Sequence, residues 1–163
     1  MTVRPRCTLY HLAASCMLVA GSLLAPASTG ASSLSEQVIA LVNAQRHMIM
    51  GDGCPALAPN PVLEDAANRH AADMANRNYF AHNSLVGTTY TARMNAAGYH
   101  PRLSGENLAA GQPSPEDVVR AWMESPSHRA NILDCRFHET GVGFASSPQA
   151  TFGDYWVQEF GAR

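Results

Sequence analysis

The chain contains no lysine: all 11 of its basic residues are arginine, a compositional bias with no functional meaning of its own. Charge of either sign is scarce, 15% of 163 residues against 46% hydrophobic, which excludes a disordered polyelectrolyte and predicts one packed domain. A formal net charge of −2 excludes the basic footprint that nucleic acid requires. No apolar run has transmembrane length. The one candidate, Leu12 to Ala25, is too short and too rich in small residues to span a bilayer comfortably. The sequence also lacks an H-E-x-x-H helix and a G-x-S-x-G elbow, two local signatures of hydrolytic enzymes. Internal repeats and a βαβ dinucleotide unit are absent as well.

What is present begins with a leader. Arg4 and Arg6 precede the apolar run, and Ala25-Pro26-Ala27 or Thr29-Gly30-Ala31 offers a small-residue cleavage site. Residues 1–31 therefore read as a signal peptide and residues 32–163 as the mature domain, with no transmembrane span. Cys16 lies inside the run ahead of Met17-Leu18-Val19, a poor setting for lipid attachment. Cleavage removes two arginines and no acids, leaving nine arginines against 13 acids, a formal charge of −4. It leaves two cysteines, Cys54 and Cys135. In an exported domain these read as one disulfide, and neither lies beside a histidine as a thiol nucleophile would require.

The first half of the mature chain has helical periodicity. A helix is expected from Leu34 to Met48, ended by Gly51-Asp52-Gly53, and a second from Asn60-Pro61 to about Asn78. Tyr79 to Ser84 reads as a turn, followed by a third helix from about Thr89 to Ala97, stopped by Gly98. Ser114-Pro115-Glu116-Asp117 opens a fourth that breaks at Ser125-Pro126, with a helical turn from Ser127 to Leu133. Period two then takes over at Thr140–Ala145 and Asp154–Phe160, with a further strand near Asn107–Ala110. Helices first and antiparallel strands later give an α+β fold. Trp122 and Trp156 read as core, and Arg46 and Arg129 as members of ion pairs.

The polar residues that stand where loops meet elements are His82, Glu106, Glu124 and His128. Two neutral imidazoles can ligate zinc, and a carboxylate can complete the shell or polarise a bound water. Spacing alone does not bring His82 to His128. His47, His70, His100 and His138 read as structural.

Six stretches fall in an order that resembles the CAP superfamily (cysteine-rich secretory proteins, antigen 5 and pathogenesis-related 1 proteins), or SCP domain, in its bacterial branch. They are Leu41 to Arg46, Tyr79 to Ser84, Gly105 to Ala109, Trp122 to Leu133, Gly141 to Gly143 and Tyr155 to Phe160. The resemblance implies a three-layer α-β-α sandwich with a small antiparallel sheet, and a cleft floored by two histidines and two acids. His82, Glu106 and His128 match three of those positions. The fourth acid of eukaryotic members falls on Ser125, one residue after Glu124. One residue is a rotation of about 100° on a helix, so spacing leaves open whether Glu124 faces the cleft.

The function implied is a secreted, non-enzymatic binding module for a lipid, sterol, peptide or partner protein, because family members are credited with lipid binding and signalling more than with catalysis. The alternatives are a metal-dependent or Glu106-assisted hydrolase outside the cytosol, and a structural domain of the cell envelope. No cofactor is required by the binding reading. His82 and His128 would hold a divalent metal such as zinc weakly, if at all. The expected partners are a small apolar ligand or an extracellular protein, not nucleic acid.

Overall fold

A computed structural model describes residues 32–163, so the leader expected at 1–31 lies outside the described residues. Local capping chemistry sets where each helix starts. Helix α1 (Leu34–Met50) begins at Ser33, whose hydroxyl accepts from the Glu36 N–H while the Glu36 carboxylate accepts from the Ser33 N–H. Asn60 caps α2 (Pro61–Arg77) by accepting from the N–H groups of Val62 and Leu63, and Asn78 ends it in the left-handed conformation. Thr89 caps α3 (Tyr90–Ala97), which stops at Gly98, where φ is 97°. Ser114 caps α4 (Pro115–Glu124), and a new start at Pro126 gives α5 (Pro126–Leu133).

Four strands make one sheet: β1 (Ala58–Pro59), β2 (Leu103–Ala110), β3 (Glu139–Ser146) and β4 (Asp154–Ala162), in the order β1-β3-β4-β2. The β2–β4 and β3–β4 ladders are antiparallel, but β1 runs parallel to β3, a pairing the strand patterns did not indicate. Strand β2 also starts four residues earlier than its apolar pattern suggests.

The pleat sends alternate residues to opposite layers. Ala109, Val142, Trp156 and Phe160 face α1, α4 and α5, where Val38, Val42, Val119, Trp122 and Ile132 complete the core. Leu108, Tyr155 and Val157 face α2 and pack on Ala67, Ala71 and Met74. The result is an α-β-α sandwich. On the α2 side the contact is backbone to backbone. A Cβ on Gly141 would lie 2.0 Å from the Glu64 nitrogen, and one on Gly143 would lie 2.3 Å from the Ala67 carbonyl carbon.

Cys54 and Cys135 form a disulfide with Cα atoms 5.0 Å apart. Beside it Arg46 is buried, and among the described residues it takes no carboxylate partner. Its guanidinium donates to the carbonyls of Pro55 (2.7 Å), Ile132 (2.6 Å), Asp134 (3.1 Å) and Phe137 (3.3 Å). The expected ion pair is thus replaced by a clamp on backbone, which satisfies a buried guanidinium without burying a second charge. Arg129 is exposed and forms no ion pair among the described residues.

Candidate functional site

Glu106 sits in the middle of β2, on the face that looks toward α2. Its side chain is 0% exposed. Oε1 accepts from His82 Nδ1 at 2.7 Å, and Oε2 is paired with the Arg93 guanidinium of α3. Arg93 donates further to the His82 carbonyl (2.9 Å) and the Thr88 carbonyl (3.1 Å), so it fastens the loop that carries His82. An ionised carboxylate only accepts, which puts a proton on Nδ1; Nε2 then accepts in the neutral ring and donates in the imidazolium. The Glu106 hydrogen bond raises the His82 pKa above its ordinary value, and partial burial works against that rise.

The next residue, Asn107, points into the opposite layer. Its Nδ2 donates to the His128 carbonyl at 3.2 Å, and its Oδ1 accepts from Asn131 Nδ2 at 2.9 Å. Asn131 Nδ2 also donates to the Glu106 carbonyl at 3.2 Å. Helix α5, and His128 with it, is thereby tied to the strand that holds His82 from the other side. His128 is half-buried. Burial lowers its pKa, and the nearby His82 charge lowers it further, so the two imidazoles sense each other.

Among the described residues neither Glu124 nor Ser125 bonds to His82, Glu106 or His128 through its side chain. Glu124 is exposed and lines a groove of about 310 Å³ between α1 and α4, with Leu41, Gln45, Val119 and Met123 among its neighbours. Ser125 caps the start of α5 without a side-chain bond to it, and its hydroxyl lies 3.3 Å from that of Ser127. Among the described residues no group of three His, Cys, Asp or Glu is placed to hold a metal ion. Both Glu106 oxygens are engaged, one by His82 and one by Arg93. A metal at His82 and His128 would have two imidazoles and no carboxylate, which falls short of the four protein donors of a structural zinc.

Two members of the site escape a sequence reading, Arg93 and Glu159. Glu159 stands directly across the ladder from Glu106, and both of its oxygens are buried with no hydrogen-bond partner. Its signal was the strand period: Tyr155, Val157, Glu159 and Gly161 share the buried face that packs on α2. Arg93 carries no comparable mark. The expected structural role of His70 has a partner, since its buried ring bonds the Ala81 carbonyl at 3.0 Å.

Comparison with known proteins adds the following. The family profile described as "Cysteine-rich secretory protein family" (CAP) matches residues 39–160. A Bacillus subtilis (strain 168) protein, YkwD, is 36% identical over 134 residues, which is 82% of this chain and 49% of that protein. A Bacillus anthracis extracellular protein containing an SCP domain superposes with a TM-score of 0.70 at 28% identity, over 80% of this chain and 40% of that one. An outer surface protein of Borrelia burgdorferi gives a TM-score of 0.70 at 24% identity, over 81% and 96%, a likeness of fold. The chain thus spans about half the length of YkwD or less in the longer relatives.

Proposed function

We propose that this chain, which belongs to the cysteine-rich secretory protein (CAP) family, is an exported binding module whose ligand docks at His82 and His128. Residues 1–31 act as a leader removed on export, and residues 32–163 are the working domain. The disulfide, and the extracellular and outer-surface proteins that share the fold, support the location. No helix among the described residues is long and apolar enough to cross a membrane.

One observation carries the choice of binding over hydrolysis. A general base must reach the proton that it abstracts. Glu106 is fully buried, with one oxygen on His82 and the other on Arg93, so it orients an imidazole and has no free oxygen for water. What the site offers outward is His82, 53% exposed, with its acceptor nitrogen. Around it the loop presents Phe80, Leu85 and Val86 at 44%, 55% and 79% exposure. Exposed apolar residues beside an oriented polar group suit a ligand with an apolar body and one hydrogen-bond donor, such as a hydroxyl.

Native mass spectrometry of the protein recovered from culture medium tests this. The expected species starts near Ser32 and carries an apolar small molecule that is lost in His82→Ala and in Phe80→Ser/Val86→Ser. Turnover of an ester or peptide substrate that disappears in a folded His128→Ala variant would overturn the binding reading.

A further inference from the structure

Behind His82 the sheet carries an acid that the binding reading does not use. Glu159 and Glu106 are direct partners in the β2–β4 ladder, and such partners project to one face with Cβ atoms about 4.5–5.5 Å apart. Both side chains are fully buried. The surroundings supply little positive charge. Strand β3 places Gly141 opposite Glu159 and contributes no side chain. Helix α3 brings Arg93, which pairs with Glu106 and lies 3.7 Å from Glu159 Oε1, beyond hydrogen-bond range. The α2–α3 loop brings His82, bonded to Glu106. Helix α2 brings His70, whose pKa is lowered by burial and by Arg93, so it adds no charge at neutral pH. Tyr155, four residues back on the same face of β4 with Val157 between, is an uncharged phenol. Glu139, the next acid on that face of β3, is bonded to Arg163, Tyr99 and Asn60.

Two carboxylates therefore share one guanidinium in a pocket closed to water. Ionising both would place like charges side by side in a low dielectric, and a proton on one of them removes the conflict. Glu106 holds the Arg93 guanidinium and the His82 ring by direct bonds, and Glu159 holds neither. We propose that Glu159 is a neutral carboxylic acid at pH 7, leaving the cluster the single carboxylate charge of Glu106, which bonds both Arg93 and His82. Burial, and then the Glu106 charge, push the Glu159 carboxyl well above the usual carboxylate range, in the same direction. The proton matters to the site. With Glu159 ionised, the excess negative charge would draw His82 into the imidazolium form and cap the Nε2 lone pair. With Glu159 neutral, that added pull is absent, and the rise in the His82 pKa comes from Glu106. The inference stands whatever the module binds, because it concerns the charge state of the empty site.

Carbon-13 NMR on protein labelled at glutamate carboxyls tests it directly. At pH 7 one glutamate should show a carboxylic-acid shift, and that signal should vanish in Glu159→Gln. In the same variant the His82 titration midpoint should move by less than about half a pH unit, since one neutral group replaces another. A larger fall in that midpoint, no carboxylic-acid signal at pH 7, or a signal that survives Glu159→Gln would each overturn the proposal. If Glu159→Gln fails to fold, the assigned Glu159 resonance of the unsubstituted protein decides alone.

Discussion

Replacing Cys54 and Cys135 together by alanine should destabilise the domain by about 4 kcal/mol. The bond joins residues separated by 81 positions. Chain-entropy loss for a loop of that size gives about 4.5 kcal/mol at 25 °C. Two features of the surroundings adjust that figure. Cys54 is buried, so its truncation leaves a small void and adds to the loss. Residual structure in the unfolded chain works the other way. The native arrangement itself should survive, because Arg46 still joins the Pro55 and Asp134 carbonyls, each one residue from a cysteine. Urea denaturation of the oxidised protein, the reduced protein and the double variant is the assay. The reduced protein should lie roughly 10–20 °C below the oxidised form in a parallel thermal melt, with the double variant slightly lower still because of the void at Cys54. A difference below about 1 kcal/mol between oxidised and reduced protein would refute the reasoning.

Two further outcomes are expected. The Glu139 carboxyl is held at about 2, below its ordinary 4.5, by Arg163 first and by the Tyr99 and Asn60 bonds, against the opposing effect of burial. Its folded-state value is depressed, so its stabilisation is present above about pH 4.5 and lost as pH falls toward 2. After allowance for solvent screening, Glu139→Gln should remove about 1–2 kcal/mol of that acid-side loss. Urea midpoints at pH 7, 4.5 and 3 check this, and identical pH profiles for the two proteins would count against it. Gly143→Ala should cost about 3 kcal/mol or more, because the new Cβ meets the α2 backbone at 2.3 Å. Gly53→Ala, with nothing within 4 Å of its Cβ, should stay within about 0.5 kcal/mol, and equal melting losses for both would contradict the packing argument.

The helices were legible because their signals are local. Ser33, Asn60 and Ser114 each act on N–H groups two or three residues away, and Gly98 stops α3 by its own backbone conformation. The sheet was legible only where apolar alternation marks it. Leu103 to Glu106 reads Leu-Ser-Gly-Glu, with little to suggest a strand, and becomes one by pairing with Phe160 to Ala162 and Glu159 across the ladder. Strand β1 contains proline and two residues, and only β3 makes it a strand. His82, Glu106 and His128 emerged from resemblance to a family and not from spacing. Their partners Arg93 and Glu159 come from elements distant in sequence, so only tertiary packing joins them. Arg46 shows the same limit in another form. Its sequence suggests a charge seeking a charge, whereas four convergent carbonyls satisfy it.

The Gly105-Glu106-Asn107 step explains how one strand anchors both histidine segments. Successive residues of β2 face opposite layers, so Glu106 reaches His82 in the α2 layer while Asn107 reaches α5 and the His128 carbonyl. Gly105 shares the Asn107 face, where a Cβ would stand 2.9 Å from the Phe137 ring. A side chain there would push Phe137 and, through Asn131, the whole α5 attachment. A one-residue slip of β2 against β4 would exchange the two faces, aiming the carboxylate at α5 and the amide at His82. The eight-residue ladder from Leu103–Ala162 to Ala110–Tyr155 opposes such a slip. Both histidine segments are therefore anchored on β2, the His82 loop through Glu106 and α5 through Asn107, and a change that loosens β2 should displace both histidines together.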